Sequence, residues 1–337
     1  MTSTGVLPPV RGVYQSGKSC ANRHETATDT DTLASHSPKD QPWDIHKGQS
    51  DDVSQIYHQD HAFRRLAVRI SGCSGQLLFS RNTNTETGEC TLKLRGARFC
   101  RVRTCPICQW RRSLMWRARF FQALPTIQVA HPTARWLFLT LTVRNCPITD
   151  LRATLADMNR AWNRLIGRPE FEPVIGWIRT VEVTRGHDGS AHPHLHCLLM
   201  VAPSYFNGKN YVTKNRWQQL WQSVMRLDYD PVVDVRTVKG SGDTIGHKAV
   251  CETLKYSVKP TDMTDDPAWF LEYTRQTHKL RFIATGGILK KILKTEKPET
   301  NEDLLLTDNP AYTELDMEEI LIFDWNKPTR KYRRRKE

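Results

Sequence analysis

A short apolar run that carries two histidines, residues 191–201 (AHPHLHCLLMV), constrains the fold more than any other stretch. From Leu195 onward it is bounded by Pro193 and Pro203, which predicts a short buried strand. Side chains alternate along a strand, so His194 and His196 project from one face. Two imidazoles on one face of a rigid strand form a preorganised half-site for a divalent metal ion.

The preceding segment supplies a candidate third ligand. β-Branched residues followed by turn-forming residues predict that residues 177–201 form a hairpin, with Glu182 opposite His194 and Thr180 opposite His196. A slip of one residue would turn Glu182 to the other face. Two histidines and one carboxylate with open positions suit a metal ion that also holds a phosphate oxygen. An isolated pair of this kind is otherwise explained by two satisfied core histidines.

The charge of the chain is concentrated around this candidate site. The 337 residues carry a net charge of +13, but residues 61–260 contain 30 Lys/Arg against 13 Asp/Glu. Residues 1–60 contain 5 against 8, and residues 261–337 contain 14 against 15. A basic surface at the candidate metal site favours a polyanionic partner such as nucleic acid. A general basic surface is the alternative, and charge alone does not choose between DNA and RNA.

Three of the nine cysteines are closely spaced, at Cys100, Cys105 and Cys108. Clustered thiolates of this kind usually hold a structural, tetrahedral Zn²⁺. We predict these three as ligands and Cys90 as the fourth, with Cys73 as the alternative. A set of unrelated buried thiols is the competing interpretation.

A helix is predicted directly after this cluster, over residues 109–121. Its apolar residues recur at helical spacing, and its arginines project elsewhere. Arg111, Arg112 and Arg119 are therefore candidate DNA-binding residues on a zinc-braced helix. A solvated basic face is the alternative.

The order of the elements predicts an α+β fold, in which helices cover one side of a central antiparallel sheet and a zinc-knuckle element precedes it. Four regions are expected: a disordered arm (1–60), a zinc knuckle with its basic helix (61–125), the sheet domain (126–295), and an acidic segment with a basic tail (296–337). No signal-peptide pattern and no membrane-spanning stretch is seen, so we expect a cytoplasmic protein that does not contact a membrane.

A further helix is predicted over residues 247–259, where Pro260 should stop it. Glu252, Tyr256 and Lys259 are spaced at i, i+4 and i+7 and would form a polar stripe separate from the buried one. A routine exposed helix face is the alternative explanation.

Four blocks of the sequence occur in an order that resembles a known family. They are Phe-Cys at 99–100 running to Arg112, Phe-Leu-Thr-Leu-Thr at 138–142, Glu182 with His-Pro-His-Leu-His at 192–196, and Lys-Tyr-Ser-Val-Lys at 255–259. They are similar to the motifs of plasmid rolling-circle replication initiators of the HUH endonuclease superfamily, in the branch with an upstream Cys-rich block. The resemblance covers residues 73–293 and implies that 126–295 is an HUH endonuclease domain.

The resemblance implies a reaction and a role for each residue. Tyr256 would be the nucleophile that forms a 5′-phosphotyrosine, and Lys259 would favour its phenolate or steady the phosphate. Mg²⁺ or Mn²⁺ would be held by Glu182, His194 and His196. Glu252 would be the base that activates water to end replication, in place of a second tyrosine. The competing interpretation pairs Glu252 with Lys248 or Lys255 on the surface.

The implied partners are origin DNA, double-stranded at the origin and single-stranded at the nick site, and the host helicase and polymerase. An oligomer is compatible with the sequence, which leaves the oligomeric state open. Three other functions compete: a conjugative relaxase or single-tyrosine transposase, a non-enzymatic zinc-dependent DNA-binding regulator, and a small-molecule metallohydrolase. The last would not need the basic charge of residues 61–260.

Overall fold

The computed structural model describes residues 31–83, 90–238, 247–255, 258–293, 299–305 and 319–336. The α-helices are α1 Leu33–His36, α2 Pro42–His58, α3 Arg64–Ser71, α4 Pro106–Ala130, α5 Leu151–Leu165, α6 Lys214–Met225, α7 His247–Thr253, α8 Pro260–Thr264, α9 Pro267–Gln276, α10 Ile288–Ile292 and α11 Asn301–Leu305. The strands are β1 Gln76–Thr83, β2 Cys90–Ala97, β3 Arg135–Thr142, β4 Val174–Arg185, β5 Ala191–Val201, β6 Val233–Thr237, β7 Ile283–Gly287, β8 Glu319–Asn326 and β9 Lys331–Arg334.

A five-stranded antiparallel sheet in the order β6-β3-β5-β4-β7 forms the centre of the fold. This confirms the predicted α+β class with a central antiparallel sheet. The long hairpin β4–β5 forms because both strands are rich in β-branched and apolar residues and are joined by a tight turn with Gly189 at φ +79°. The hairpin occupies the interior of the sheet, so the residues that it carries are held rigidly.

Helices cover both faces of this sheet, whereas the sequence predicted cover on one side. Side chains such as Leu139, Leu195 and Leu199 pack with residues of α5 and α6 on one face. The opposite face is divided: its apolar end, including Ile178 and Leu198, packs under α4, α7 and α10. Its polar end carries the histidines of β5, because residues 194, 196 and 198 share a face. The sheet needs two layers because both sets of alternating side chains contain apolar residues.

The predicted disordered arm is wrong for residues 31–60, and residues 1–30 lie outside the described residues. Helix α2 buries Trp43 and Tyr57, and the Tyr57 hydroxyl lies 2.7 Å from both the Thr104 and the Thr274 hydroxyl oxygens. The polar composition suggested disorder, but the helix buries few, large aromatic side chains that contribute strongly per residue. Its buried amine, Lys47, contacts Asp51 at 3.0 Å.

A second, four-stranded sheet in the order β2-β1-β8-β9 joins the two ends of the described chain. Strand β8 pairs with β1 along residues 319–324, and Phe323 and Tyr332 are fully buried. The sheet takes β1 and β2 from the predicted region 61–125, and β8 and β9 from the predicted region 296–337. These two predicted regions therefore form one structural unit. Residues 331–334 were expected to belong to a basic tail, but they form strand β9. Tyr332 is the buried residue of β9, and its three basic neighbours conceal the strand in the charge composition.

Helix α7 ends at Thr253, six residues before the predicted end. Pro260 opens the next helix, α8, where proline is favoured because the first helical N–H needs no intrahelical partner. The predicted single helix over 247–259 is therefore wrong. Tyr256 and Ser257 lie outside the described residues.

Candidate functional site

The hairpin brings together the three residues predicted as metal ligands. Glu182 is paired with His194 and Thr180 with His196, which is the predicted register. Oε2 of Glu182 lies 2.7 Å from Nε2 of His196 and 3.7 Å from Nδ1 of His194. The three residues each offer a ligand atom within 4.8 Å of the others.

Neighbouring strands hold His196 in place. Its Nδ1 lies 3.2 Å from the Thr140 hydroxyl on β3, and its ring stacks on Phe138 of the same strand, with centroids 5.7 Å apart. Glu182 and His196 are both buried. A buried, hydrogen-bonded imidazole keeps one orientation, which is how proteins preset a metal ligand.

Two further charged groups approach from the end of α7. Lys255 Nζ lies 3.0 Å from Oε2 of Glu182 and 2.5 Å from Oε1 of Glu252. The Thr180 hydroxyl donates to the backbone oxygen of Thr253 at 2.6 Å, which ties the C-terminus of α7 to β4. Lys255 thus links the hairpin carboxylate with the predicted hydrolytic base. The sequence offered Lys255 only as a surface partner of Glu252, and its contact with Glu182 was not predicted.

The electrostatics of the site keep Glu182 ionised. Burial alone would raise the pKa of Glu182, but hydrogen bonds from His194 and His196 and the charge of Lys255 outweigh it and hold that pKa well below its usual range. Burial acts to lower the pKa of Lys255, yet its contacts with Glu252 and Glu182 raise it overall. The site therefore combines an ionised carboxylate and an ammonium group with the side chains of His194 and His196.

The donor set fits a divalent metal ion. Nε2 of His194 is a buried ring nitrogen without a hydrogen-bond partner in the described part of the chain, and Nδ1 of the same ring is the atom that faces Oε2 of Glu182 at 3.7 Å. Buried polar atoms are nearly always satisfied, so this ring nitrogen is available as a ligand atom. Imidazole and carboxylate together suit Mn²⁺ and related ions, and carboxylate alone is the preferred type for Mg²⁺.

A second group of four residues could hold a metal ion: Cys73, Cys100, Cys105 and Cys108. The sulfur of Cys108 lies 3.6 Å from those of Cys73 and Cys100. Zn–S bonds of about 2.3 Å in tetrahedral array place sulfur atoms about 3.8 Å apart, which is close to this spacing. The backbone N–H of Cys100 also donates to the Cys73 sulfur at 3.4 Å.

The prediction that Cys90 completes this group is wrong, and the alternative, Cys73, takes the place. Cys90 begins β2 opposite Thr83, at the far end of the β1–β2 ladder from the cluster. Cys73 lies two residues after α3 and reaches the cluster because the Ser74 N–H donates to the Arg98 oxygen at 2.7 Å, which extends the β1–β2 pairing at the end opposite Cys90. Proximity in sequence favoured Cys90, whereas strand pairing determines proximity in space.

The three arginines predicted to bind DNA instead hold the segment 299–305. Arg111 is buried and donates to the backbone oxygens of Leu304 and Leu305, while Arg119 pairs with Asp303 at 2.6 Å. Arg112 contacts Glu299 through two nitrogens, at 2.7 and 2.9 Å. These contacts give all three guanidinium groups partners within the chain, and DNA binding by them stays a prediction. The acidic segment, which the sequence treated as peripheral, supplies their partners.

The structure does not bring Lys259 to the group around Glu182. Lys259 is exposed, and its backbone is extended just before α8. The predicted stripe required one continuous helix, which ends earlier. Tyr256, the predicted nucleophile, lies outside the described residues.

Comparison with known proteins identifies the relatives of this chain. A family model described as replication protein matches residues 91–333. The chain belongs to this replication protein family. A "Protein rep" of Streptococcus pneumoniae serotype 2 is 32% identical over 301 residues, which cover 87% of this chain and 92% of the relative. A "Protein rep" of Bacillus amyloliquefaciens is 38% identical, covering 69% of this chain and 73% of the relative.

A "Replication protein" of Staphylococcus aureus is 37% identical over 214 residues, which cover 60% of this chain and 91% of the relative. No solved structure matches the chain. The family match includes Glu182, both histidines and three of the four clustered cysteines, and it begins after Cys73. No helix among the described residues has the length and apolar character needed to cross a membrane.

Proposed function

We propose that this member of the replication protein family initiates rolling-circle replication by nicking and rejoining origin DNA. The strand would be cut by transesterification at Tyr256, as in the HUH endonucleases that the sequence resembles. The observation that carries the proposal is the group of Glu182, His194 and His196, whose ligand atoms lie within 4.8 Å on the polar end of one sheet face. Family membership supports the replication role, and the site supports the chemistry.

The reaction requires a polarised phosphodiester and an activated phenol. A divalent ion bound by Glu182, His194 and His196 would polarise the scissile phosphate and offset its developing charge. The Tyr256 phenol loses its proton as its oxygen attacks phosphorus, and the bond from phosphorus to the 3′ oxygen breaks. The products are a 5′-phosphotyrosyl enzyme and a free 3′-OH, which a host polymerase can extend.

The residue that precedes Tyr256 in the sequence, Lys255, reaches the Glu182 group. Tyr256 is bonded to Lys255, whose ammonium group lies 3.0 Å from Glu182. A phenol has an ordinary pKa near 10, so a neighbouring cation favours the attacking phenolate. We propose that Lys255 performs the role that the sequence assigned to Lys259.

Glu252 is proposed as the base for hydrolytic release. Its carboxylate lies 2.5 Å from Lys255 Nζ, so the surface pairing that competed with this role is present in the structure. The pairing and the base role are compatible, because the same lysine also contacts Glu182. Glu252 would accept a proton from the water that attacks the phosphotyrosine when replication ends.

We further propose that the four-cysteine group holds a structural Zn²⁺ and that the other partners are double-stranded origin DNA, the host helicase and the host polymerase. A conjugative relaxase or transposase would share the nicking step and differ in its DNA. A zinc-dependent regulator would bind the same DNA without forming an adduct. A small-molecule metallohydrolase would bind single-stranded DNA weakly.

The test is a cleavage assay on a single-stranded oligonucleotide that carries the nick site of the cognate origin, with Mg²⁺ or Mn²⁺. Wild type should form a metal-dependent adduct on the DNA 5′ end, and Tyr256→Phe should form none. Tyr211→Phe is the matched control, because Tyr211 is exposed and belongs to neither metal group. Glu252→Ala should nick normally and fail in hydrolytic release. Tight binding by wild type without any adduct would exclude the nicking function.

A further inference from the structure

A cavity of about 330 Å³ adjoins the candidate active site. It runs from Lys255 and Thr180, at the hairpin, to the loop between Cys100 and Cys105. Its volume is in the range of sites that bind small ligands or single groups of a larger one. The lining therefore includes residues next to both groups: Arg101 and Arg103 lie between two of the clustered cysteines, and Lys255 contacts Glu182.

Basic side chains dominate the lining of this cavity. Arg101, Arg103, Arg112 and Lys255 face a single lining carboxylate, that of Glu299. Glu299 is held by Arg112 through two hydrogen bonds, a geometry that guanidinium groups use for carboxylates and phosphates alike. The lining therefore retains an excess of positive charge.

Two of these arginines have no carboxylate partner within the described residues. Arg101 donates to the backbone oxygen of Glu299 at 3.3 Å, and Arg103 donates to the backbone oxygen of Leu280. The Arg103 guanidinium also lies over the Phe282 ring, 4.5 Å from its centroid. Both arginines belong to the loop between two cysteines of the cluster, which fixes where they point.

We propose that this cavity binds a backbone phosphate of the DNA strand that is cut, next to the scissile phosphate, and that Arg101 and Arg103 are the residues that recognise it. The proposal rests on the proposed nicking function, since Lys255 borders both the cavity and the Glu182 group. It gives the cysteine cluster an indirect role in DNA binding, because the cluster fixes the loop that presents the two arginines. Arg112, by contrast, fixes the loop through the backbone oxygens of Arg101 and Val102.

The experiment measures binding of fluorescein-labelled (dT)15 to the full chain by anisotropy at several salt concentrations. In Arg101→Ala we expect affinity to fall about tenfold, and the slope of log K against log salt to fall by about 0.7, the value for one phosphate contact on a single strand. Arg98→Ala is the matched control: Arg98 is exposed, precedes Arg101 by three residues and does not line the cavity. Equal effects of the two substitutions would overturn the proposal.

A second measurement locates the phosphate. The nick-site oligonucleotide is made with one neutral methylphosphonate at a time and is bound to Tyr256→Phe chains with and without Arg101→Ala. A methylphosphonate at one position near the nick should weaken binding to the chain that retains Arg101. The same substitution should have no further effect on the chain that carries Arg101→Ala. Sensitivity spread evenly over all positions would overturn the assignment.

Two outcomes separate this proposal from others. Binding of (dT)15 requires no cleavage, so it is measured independently of nicking. If Arg101→Ala binds (dT)15 as tightly as wild type while nicking is normal, only the proposed phosphate site is refuted. If Arg101→Ala weakens (dT)15 binding but wild type forms no adduct, only the nicking function is refuted. Inorganic phosphate and dAMP are tested as competitors. Binding of dAMP that depends on Arg101 and is not displaced by (dT)15 would assign the cavity to a free nucleotide and overturn the DNA proposal.

Discussion

Replacing Cys73 with serine should remove the metal from the cysteine cluster, whereas replacing Cys90 should not. Cys73 supplies one of four sulfur atoms that lie within 4.8 Å of one another, and Cys90 lies outside this group. Wild type should contain one zinc ion per chain. A serine hydroxyl is a much poorer zinc ligand than a thiolate, so Cys73→Ser should lose most of its metal on dialysis.

The size of the effect follows from linkage. A metal present at 100 times its Kd stabilises the native state by about 2.7 kcal/mol. For a domain of this size, about 1 kcal/mol shifts Tm by roughly 2–4 °C, so the loss should lower Tm by about 5–10 °C. The cluster joins α3, the end of β2 and the start of α4, and these elements should loosen together.

The assay combines zinc analysis by mass spectrometry with thermal unfolding followed by circular dichroism. Wild type, Cys73→Ser and Cys90→Ser are dialysed against the same weak chelator before both measurements. Cys90→Ser should retain its zinc, and excess Zn²⁺ should raise Tm in wild type but not in Cys73→Ser. The reasoning would be refuted by a Cys90→Ser chain that loses zinc while Cys73→Ser keeps it.

Three other perturbations are informative. Glu182→Gln should lower adduct formation by at least about 100-fold, because a metal ligand and the partner of Lys255 are both lost, while circular dichroism shows the native fold; normal adduct yield would contradict the metal site. Truncation after residue 318 removes the buried side chains of Leu321, Phe323 and Tyr332, each worth about 1.5–3 kcal/mol, and should leave the chain largely unfolded or insoluble; an unchanged Tm would show that the second sheet is dispensable. Arg112→Ala removes the two hydrogen bonds to Glu299 and should reduce the free energy of unfolding in urea by about 1–3 kcal/mol. Arg98→Ala should change this free energy by less than about 0.5 kcal/mol. Equal effects of the two substitutions would mean that the Glu299 contact does not stabilise the fold.

The hairpin could be predicted in detail because its information is local. Alternation fixes which side chains share a face, and a tight turn fixes the register, so Glu182 had to meet His194 once the turn was located. The chemistry of the site follows from the same few residues.

Features that depend on contacts between distant segments could not be predicted in this way. The choice between Cys73 and Cys90 is made by pairing in the β1–β2 ladder, and the partners of Arg111 and Arg112 come from residues almost 200 positions later. Local propensity carries no information about such pairs. The polar composition of residues 31–60 likewise concealed a helix whose few aromatic side chains find partners across the fold.

The pairing of β1 with β8 has a consequence for how the molecule is made. Gln76 is matched with Asp324, so a ribosome must synthesise about 250 further residues before β1 gains its second neighbour. Until then the apolar edge formed by Leu77 and Phe79 is open to other chains, and unpaired edges of this kind promote aggregation. Closing so long a loop is also slow compared with forming the central hairpin. The nascent chain therefore passes through a stage in which the Glu182 hairpin can already form while the second sheet is still incomplete. Any chaperone that assists this protein should act at that stage, on that edge.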